Sequence, residues 1–222
     1  QKASVRFRND DTNLSGEVRE LEIFVEHSAK ALSLSVKTPS ITLKKLDASA
    51  RVTMVALESE MILEKNSFQV ASLKIHKGDS IIMGTGLVEG QIKNLKFTRK
   101  QAKARVLVEL EDAQVWTKEF FPNLEIPALK GIVDINFLAK QNESSAPEVE
   151  AEVHTKNLKI ANFGIGQVES KVAYNNENLR LIDFQIRNPF GNISLVSPEI
   201  TLKDNYDFSA TVEASDVELG RL

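Results

Sequence analysis

The chain has 222 residues, of which 42% are hydrophobic and 27% charged, with a formal net charge of −3. These are globular values and exclude wholesale disorder, and no stretch is basic enough to neutralise a run of phosphates. A single Trp among 6% aromatics gives no platform for base stacking, so nucleic acid is not an expected partner. The absence of cysteine excludes disulfides, thiolate metal sites and thiol catalysis.

Period-2 alternation of apolar and polar residues runs along the chain and predicts strands with one apolar and one wet face. It begins at 48–56 and continues through Val70, Leu73 and Ile75. Lys77-Gly78-Asp79-Ser80 reads as a turn. The glycine-rich stretch Gly84-Thr-Gly86-Leu-Val-Glu-Gly90 reads as a strand that bends or approaches another backbone. Residues 102–110 place Ala104, Val106, Val108 and Leu110 on one face. Residues 113–121 are the one candidate helix, ended by Pro122 and Pro127. Val133, Ile135, Phe137 and Ala139 alternate through 131–139, and Gln141-Asn-Glu-Ser-Ser-Ala-Pro147 reads as a loop. Strand patterns return at 149–153 and 168–174, at Leu181, Phe184 and Ile186, and at 206–214 with Phe208, Ala210 and Val212. Further turns fall at Asn175-Asn176, Asn188-Pro189-Phe190-Gly191 and Asp204-Asn205.

An internal repeat is visible at an offset of 111 residues, relating Phe68, Val70, Leu73, Ile75 and Ile82 to Leu179, Leu181, Phe184, Ile186 and Ile193. Both copies break phase at the same point, between 70 and 73 and between 181 and 184, which predicts a bulge in each. Possible units are about 46–145 and 146–222. A shorter pattern, Asn/Asp–apolar–charged–apolar, recurs at Asn94, Asn123, Asn157 and Asp216 and reads as strands leaving polar turns.

Catalytic signals are few. Gly78-Asp79-Ser80 matches a nucleophile block of GDS-type esterases, but none of His27, His76 and His154 has Asp three residues before it, where those enzymes carry their base. The three His lie apart, without metal-ligand spacing. No cofactor and no enzyme activity are expected. What remains is apolar surface. With almost no helix to cover them, one-sided strands must pack on each other in a closed sandwich or line an apolar trough. The candidate lining residues are Val70, Leu73 and Ile75; Val106, Val108 and Leu110; Val133, Ile135 and Phe137; Leu181, Phe184 and Ile186; and Phe208, Ala210 and Val212.

Three stretches carry a family resemblance: Phe68-Gln-Val-Ala-Ser-Leu-Lys-Ile-His-Lys-Gly-Asp-Ser-Ile-Ile-Met-Gly-Thr-Gly-Leu-Val88, Pro127-Ala-Leu-Lys-Gly-Ile-Val-Asp-Ile-Asn-Phe137 and Glu150-Ala-Glu-Val-His-Thr-Lys-Asn-Leu-Lys-Ile160. The texture resembles the AsmA-like superfamily of Gram-negative envelope proteins, and within it TamB-type proteins. The resemblance implies an all-β fold, an elongated, curled antiparallel sheet forming a groove from repeated short strands with little helix. It implies a fragment of a larger periplasmic protein anchored in the inner membrane outside this sequence. Its partner would be phospholipid or another acyl-chain lipid, moved between the inner and outer membranes, and its further partners outer-membrane assembly proteins. Two alternatives stand beside it: a scaffold that assists outer-membrane protein assembly by strand augmentation, and a structural stalk of β-sandwiches.

Overall fold

The computed structural model describes residues 3–9, 14–45, 53–91, 96–120, 124–143, 145–175, 178–201 and 207–215. Thirteen strands and one helix follow in chain order: β1 (Ala3–Asn9), β2 (Leu14–His27), β3 (Ala31–Lys45), β4 (Thr53–Glu64), β5 (Ser67–Lys77), β6 (Ser80–Gln91), β7 (Lys96–Glu109), α1 (Leu110–Phe120), β8 (Leu129–Asn142), β9 (Glu148–Ile160), β10 (Phe163–Asn175), β11 (Asn178–Asn188), β12 (Gly191–Thr201) and β13 (Asp207–Ser215). Every strand pairs antiparallel with its sequence neighbours in one sheet ordered from β1 to β13. β1 and β13 are the two edges and do not meet, so the curled sheet is open and not a barrel. At about 4.8 Å per strand, the sheet runs about 58 Å along its hydrogen-bonding direction.

Directly opposed residues of an antiparallel pair share a face, and the registers join the apolar positions into continuous rows. One row runs from β3 to β11 through Thr38, Leu57, Ile75, Ile82, Val106, Ile135, Val153, Ser170 and Phe184. A second runs beside it through Val36, Ser59, Leu73, Gly84, Ala104, Phe137, Ala151, Val172 and Leu181. A third passes through Leu34, Met61, Val70, Gly86, Ala102, Ala139, Val149, Tyr174 and Leu179. The opposite face carries the charges.

Among the described residues no second layer covers the apolar face. Among the described residues no hydrophobic side chain is buried; the buried ones are Thr38, Ser40, Ser59, Ser80 and Thr155. Strands contact their sheet neighbours, and α1 packs against β8 and β7. The closed sandwich therefore gives way to a single open layer.

Four of those five buried residues stand on the apolar face, where the ladder is interrupted. Thr38 Oγ1 donates to Arg19 O at 2.6 Å, beside the register shift between Thr38 and Ile41. Ser59 Oγ donates to Ser72 O at 3.1 Å, and Ser72 lies within the β5 shift between Val70 and Leu73. Thr155 Oγ1 accepts from Val168 N at 2.8 Å, within the β10 shift between Gly166 and Glu169. Ser80 Oγ accepts from Glu109 N at 3.2 Å, where β7 gives way to α1. A bulge takes backbone groups out of the ladder, and an orphaned group on an apolar face is costly. Each short hydroxyl satisfies one such group.

The β5 bulge and the β11 bulge, where Lys171 faces Asp183 and Val172 faces Leu181, fall at the two phase breaks read from the sequence. The turns at 77–80 and 188–191 are also present; the one at Asp204-Asn205 lies outside the described residues. The glycine-rich stretch is strand β6, and Gly90 has φ +138° with Lys96 O where a Cβ would sit.

Three expectations change. The helix starts at Leu110, not 113, so Leu110 is the first helical residue and not a strand position beside Val108. Glu111 and Asp112 in the first turn suit the helix N-terminus, and Glu111 Oε2 accepts from Gly131 N at 3.2 Å, tying that turn to β8. The stretch after Asn123 is no strand: 124–128 is irregular. Asn157 does not lead into a strand but sits inside β9 with φ +54°, opposite the bulge at Gly131, whose φ is +116°. The patterns at Asn94 and Asp216 begin outside the described residues.

Thr155→Val keeps the volume but leaves Val168 N without its acceptor. It should lower stability by about 1–3 kcal/mol in a urea titration, while Thr85→Val on the exposed face should change it by less than about 0.5 kcal/mol.

Candidate functional site: the apolar face

The candidate site is a face rather than a cleft. Val70, Leu73, Ile75, Val106, Val108, Val133, Ile135, Phe137, Leu181, Phe184 and Ile186 stand on the same face, brought together from four strands. They are half-buried, Phe137 slightly more open. Val212 stands opposite Leu195 on the same face near the β13 edge, and is 64% exposed. Phe208 is opposite Ile200 in backbone register; its side chain and that of Ala210 lie outside the described residues. Leu110 is in the helix and leaves the set.

Sequence reasoning left out much of the face. Val18, Leu34, Val36, Leu57 and Met61 extend it through β2, β3 and β4. Their signal was the same alternation, in segments 14–27, 31–45 and 53–64. Gly84, Gly86, Ala102, Ala104, Ala139 and Ala151 cluster in the middle of the second and third rows. There the face has small side chains over four adjacent strands.

The other face is held by cross-strand ion pairs. Lys37 Nζ lies 2.9 Å from Glu58, Lys171 Nζ 3.1 Å from Glu152, and Arg187 3.2 Å from Glu169. Arg105 grips Asp134 with two bonds, Nε to Oδ1 at 2.9 Å and Nη2 to Oδ2 at 2.6 Å. That bidentate grip holds the Asp134 carboxyl below the usual carboxylate range; partial burial opposes the shift, and the charges of Arg105, His154 and Lys156 add to it. The same pair raises Arg105, and Lys37 lowers Glu58 in the same way.

Both faces have shallow concavities, as a twisted and bulged sheet should. The larger, about 750 Å³, lies mostly on the charged face between Lys74, Met83, Arg105 and Leu138. Its walls are flexible charged stems around two apolar side chains, so its size does not make it the apolar site. A smaller one of about 310 Å³ lies on the apolar face, between Phe68, Val70, Gly86, Val88, Ala102 and Ala139.

Ser80, the residue of the esterase-like block, is 4% exposed and its hydroxyl accepts a backbone bond. It is placed as a structural group. Among the described residues no three His, Cys, Asp or Glu form a cluster able to hold a metal, and no helix is long and apolar enough to cross a membrane.

Together these features define a class: an open, single-layer, all-β sheet with one apolar and one charged face. Comparison with known proteins gives no match to a family profile, a curated protein or a solved structure.

Asp134 supplies a test of the charged face. A carboxyl depressed in the folded state contributes stability that is complete above its unfolded value of about 3.9 and lost as pH falls through the folded one. The pair is half exposed on the Arg105 side, so its contribution should stay below about 1 kcal/mol. The stability gap between the parent and Asp134→Asn, measured by urea titration, should be constant from pH 5 to 7 and close as the solution is acidified below pH 4.

Proposed function

We propose that this chain is a segment of a bridge-like lipid transport protein, in which phospholipid acyl chains lie along the apolar face. The observation that carries the proposal is the pairing of a continuous apolar face with the absence, among the described residues, of any buried hydrophobic side chain. Contiguous apolar patches beyond a few hundred Å² mark an interaction surface. An acyl chain suits this surface because it brings no hydrogen-bonding groups to a face whose backbone is already paired. Each methylene removed from water contributes about 0.8 kcal/mol. Headgroups would remain towards water.

The mechanism is passive: the rows run across the strands, so a chain moves along them without crossing a wall of backbone. The setting this reading requires is an aqueous gap between two membranes, the periplasm of a Gram-negative cell, with the anchor in another part of the protein. Kinship with the AsmA-like and TamB-type proteins is part of the same proposal, supported by the open sheet and its repeated strands.

A second reading draws on the edges. Among the described residues β1 and β13 each have one sheet neighbour, and such edges accept an added strand. This supports a scaffold for β-rich clients of the outer membrane. The stalk of closed sandwiches has no support in a single open layer.

Native mass spectrometry of the purified chain, with lipid extraction, tests the first reading. Co-purifying phospholipid at defined stoichiometry is expected. Val108→Asp and Ile135→Asp should each reduce bound lipid severalfold, while the far-ultraviolet circular dichroism of the sheet is kept. A bare mass with no uptake from added phospholipid would sink the transport reading, and binding of extended peptides instead would bring the scaffold forward.

A further inference from the structure

The apolar face carries a cation in its middle section. Lys100 stands on β7, opposite Val88 of β6 on one side and Gln141 of β8 on the other. Those residues belong to the apolar face, two positions along from Gly86, Ala102 and Ala139. Lys100 also borders the cavity of about 310 Å³ on that face.

The cavity exists because the residues beneath it are small. Val70 faces Gly86, Gly86 faces Ala102, Ala102 faces Ala139, and Ala139 faces Val149. Three neighbours in a row, Gly86, Ala102 and Ala139, remove most of the side-chain height between the valines at either end. Phe68 and Val88 wall the side towards the strand ends, where Lys100 and Gln141 continue the wall. The volume is at the lower end of small-ligand sites.

The ammonium group is exposed and meets no carboxylate among the described residues. Nζ donates to Gln141 Oε1 at 3.3 Å and lies 5.5 Å from the centre of the Phe97 ring. An ammonium has three donors, and Lys100 makes no ion pair among the described residues. Lys37 and Lys171, on the charged face, each meet a glutamate. Lys100, which borders the cavity together with Lys140, has no such carboxylate partner among the described residues.

We propose that this cavity is a seat for an anionic amphiphile, with the acyl chain over Gly86, Ala102 and Ala139 and a phosphate or carboxylate headgroup on Lys100 and Gln141. The assignment rests on the acyl-chain reading above and adds a headgroup preference and a fixed position to it. The charge complementarity selects an anion, and the apolar floor selects one with a hydrocarbon tail over a free ion.

The test uses three probes below their aggregation concentrations: dodecyl phosphate, dodecylphosphocholine with the same chain and a zwitterionic head, and inorganic phosphate. Calorimetric titration of the chain should give dodecyl phosphate about fivefold tighter than dodecylphosphocholine, the ratio expected of a partly exposed ion pair. Lys100→Gln should bring that ratio to about one by weakening dodecyl phosphate alone, with an unchanged thermal midpoint. Ala102→Phe should weaken both detergents by filling the floor. Equal binding of both detergents to the parent chain, or a Lys100→Gln variant that keeps the preference, overturns the headgroup seat and leaves the apolar groove standing. Binding of inorganic phosphate as tight as dodecyl phosphate overturns the amphiphile in favour of a free-anion site. Failure of both detergents to bind removes the groove reading together with the seat.

Discussion

The whole structure follows from one constraint: among the described residues, a sheet of thirteen strands has an apolar face and no second layer placed against it. In a two-layer protein that face would be sealed and its side chains buried. Here they reach only half-burial, supplied by neighbours on the same sheet. Stability must therefore come from the ladders and from lateral contact along the rows, such as Ile82 against Val106 and Val106 against Ile135. Each strand depends on its two neighbours, which gives a quasi-one-dimensional energetics of the kind repeat proteins show. Such a sheet can be long, because adding a strand adds an interface without enlarging a core.

An open layer makes demands on its polar groups. Bulges bend the strands and raise their twist, but every bulge frees backbone groups, and at the buried positions of this face there is little water to receive them. Thr38, Ser59, Ser80 and Thr155 resolve the conflict with hydroxyls short enough to stay at backbone level. They are the buried members of an otherwise half-buried apolar face. The opposite face needs the reverse treatment. Its cross-strand pairs, with Arg105 and Asp134 the closest, keep it solvated and penalise a slipped register, because a slip of one residue would exchange the two faces.

The alternation in the sequence was enough to read the all-β class and one-sided strands, because a period of two has a single structural meaning over eight or more residues. The phase breaks at 70–73 and 181–184 even located two bulges. Leu110 was misread because it continues the alternation of Val106 and Val108; only the acidic pair after it, Glu111 and Asp112, marks the helix start, and it resembles a solvated strand end. Asn157 looked like a turn residue, and it does take the left-handed conformation asparagine tolerates, but inside a strand. Whether the faces closed on one another was not legible, since alternation is identical in a sandwich and an open layer. Lys100 was invisible for a related reason. Within Arg99-Lys100-Gln101 it reads as one more solvated charge, and only the register against Val88 puts it on the apolar side.

On the transport reading, the uniformity of the rows matters more than the depth of any pocket. A carrier that sealed each acyl chain in a closed cavity would bind tightly and release slowly. A half-open face offers a chain many sites of similar, modest strength, so displacement by one strand spacing exchanges one set of aliphatic contacts for a near-equivalent one. The four-strand section of glycine and alanine lowers the floor without interrupting the row, because Leu73 and Phe137 still stand beside it. The same geometry explains why the charged face must be separate. Pairs such as Lys171 with Glu152 hold the strands in register from behind, which keeps these ion pairs off the front, so that a moving tail need not desolvate them.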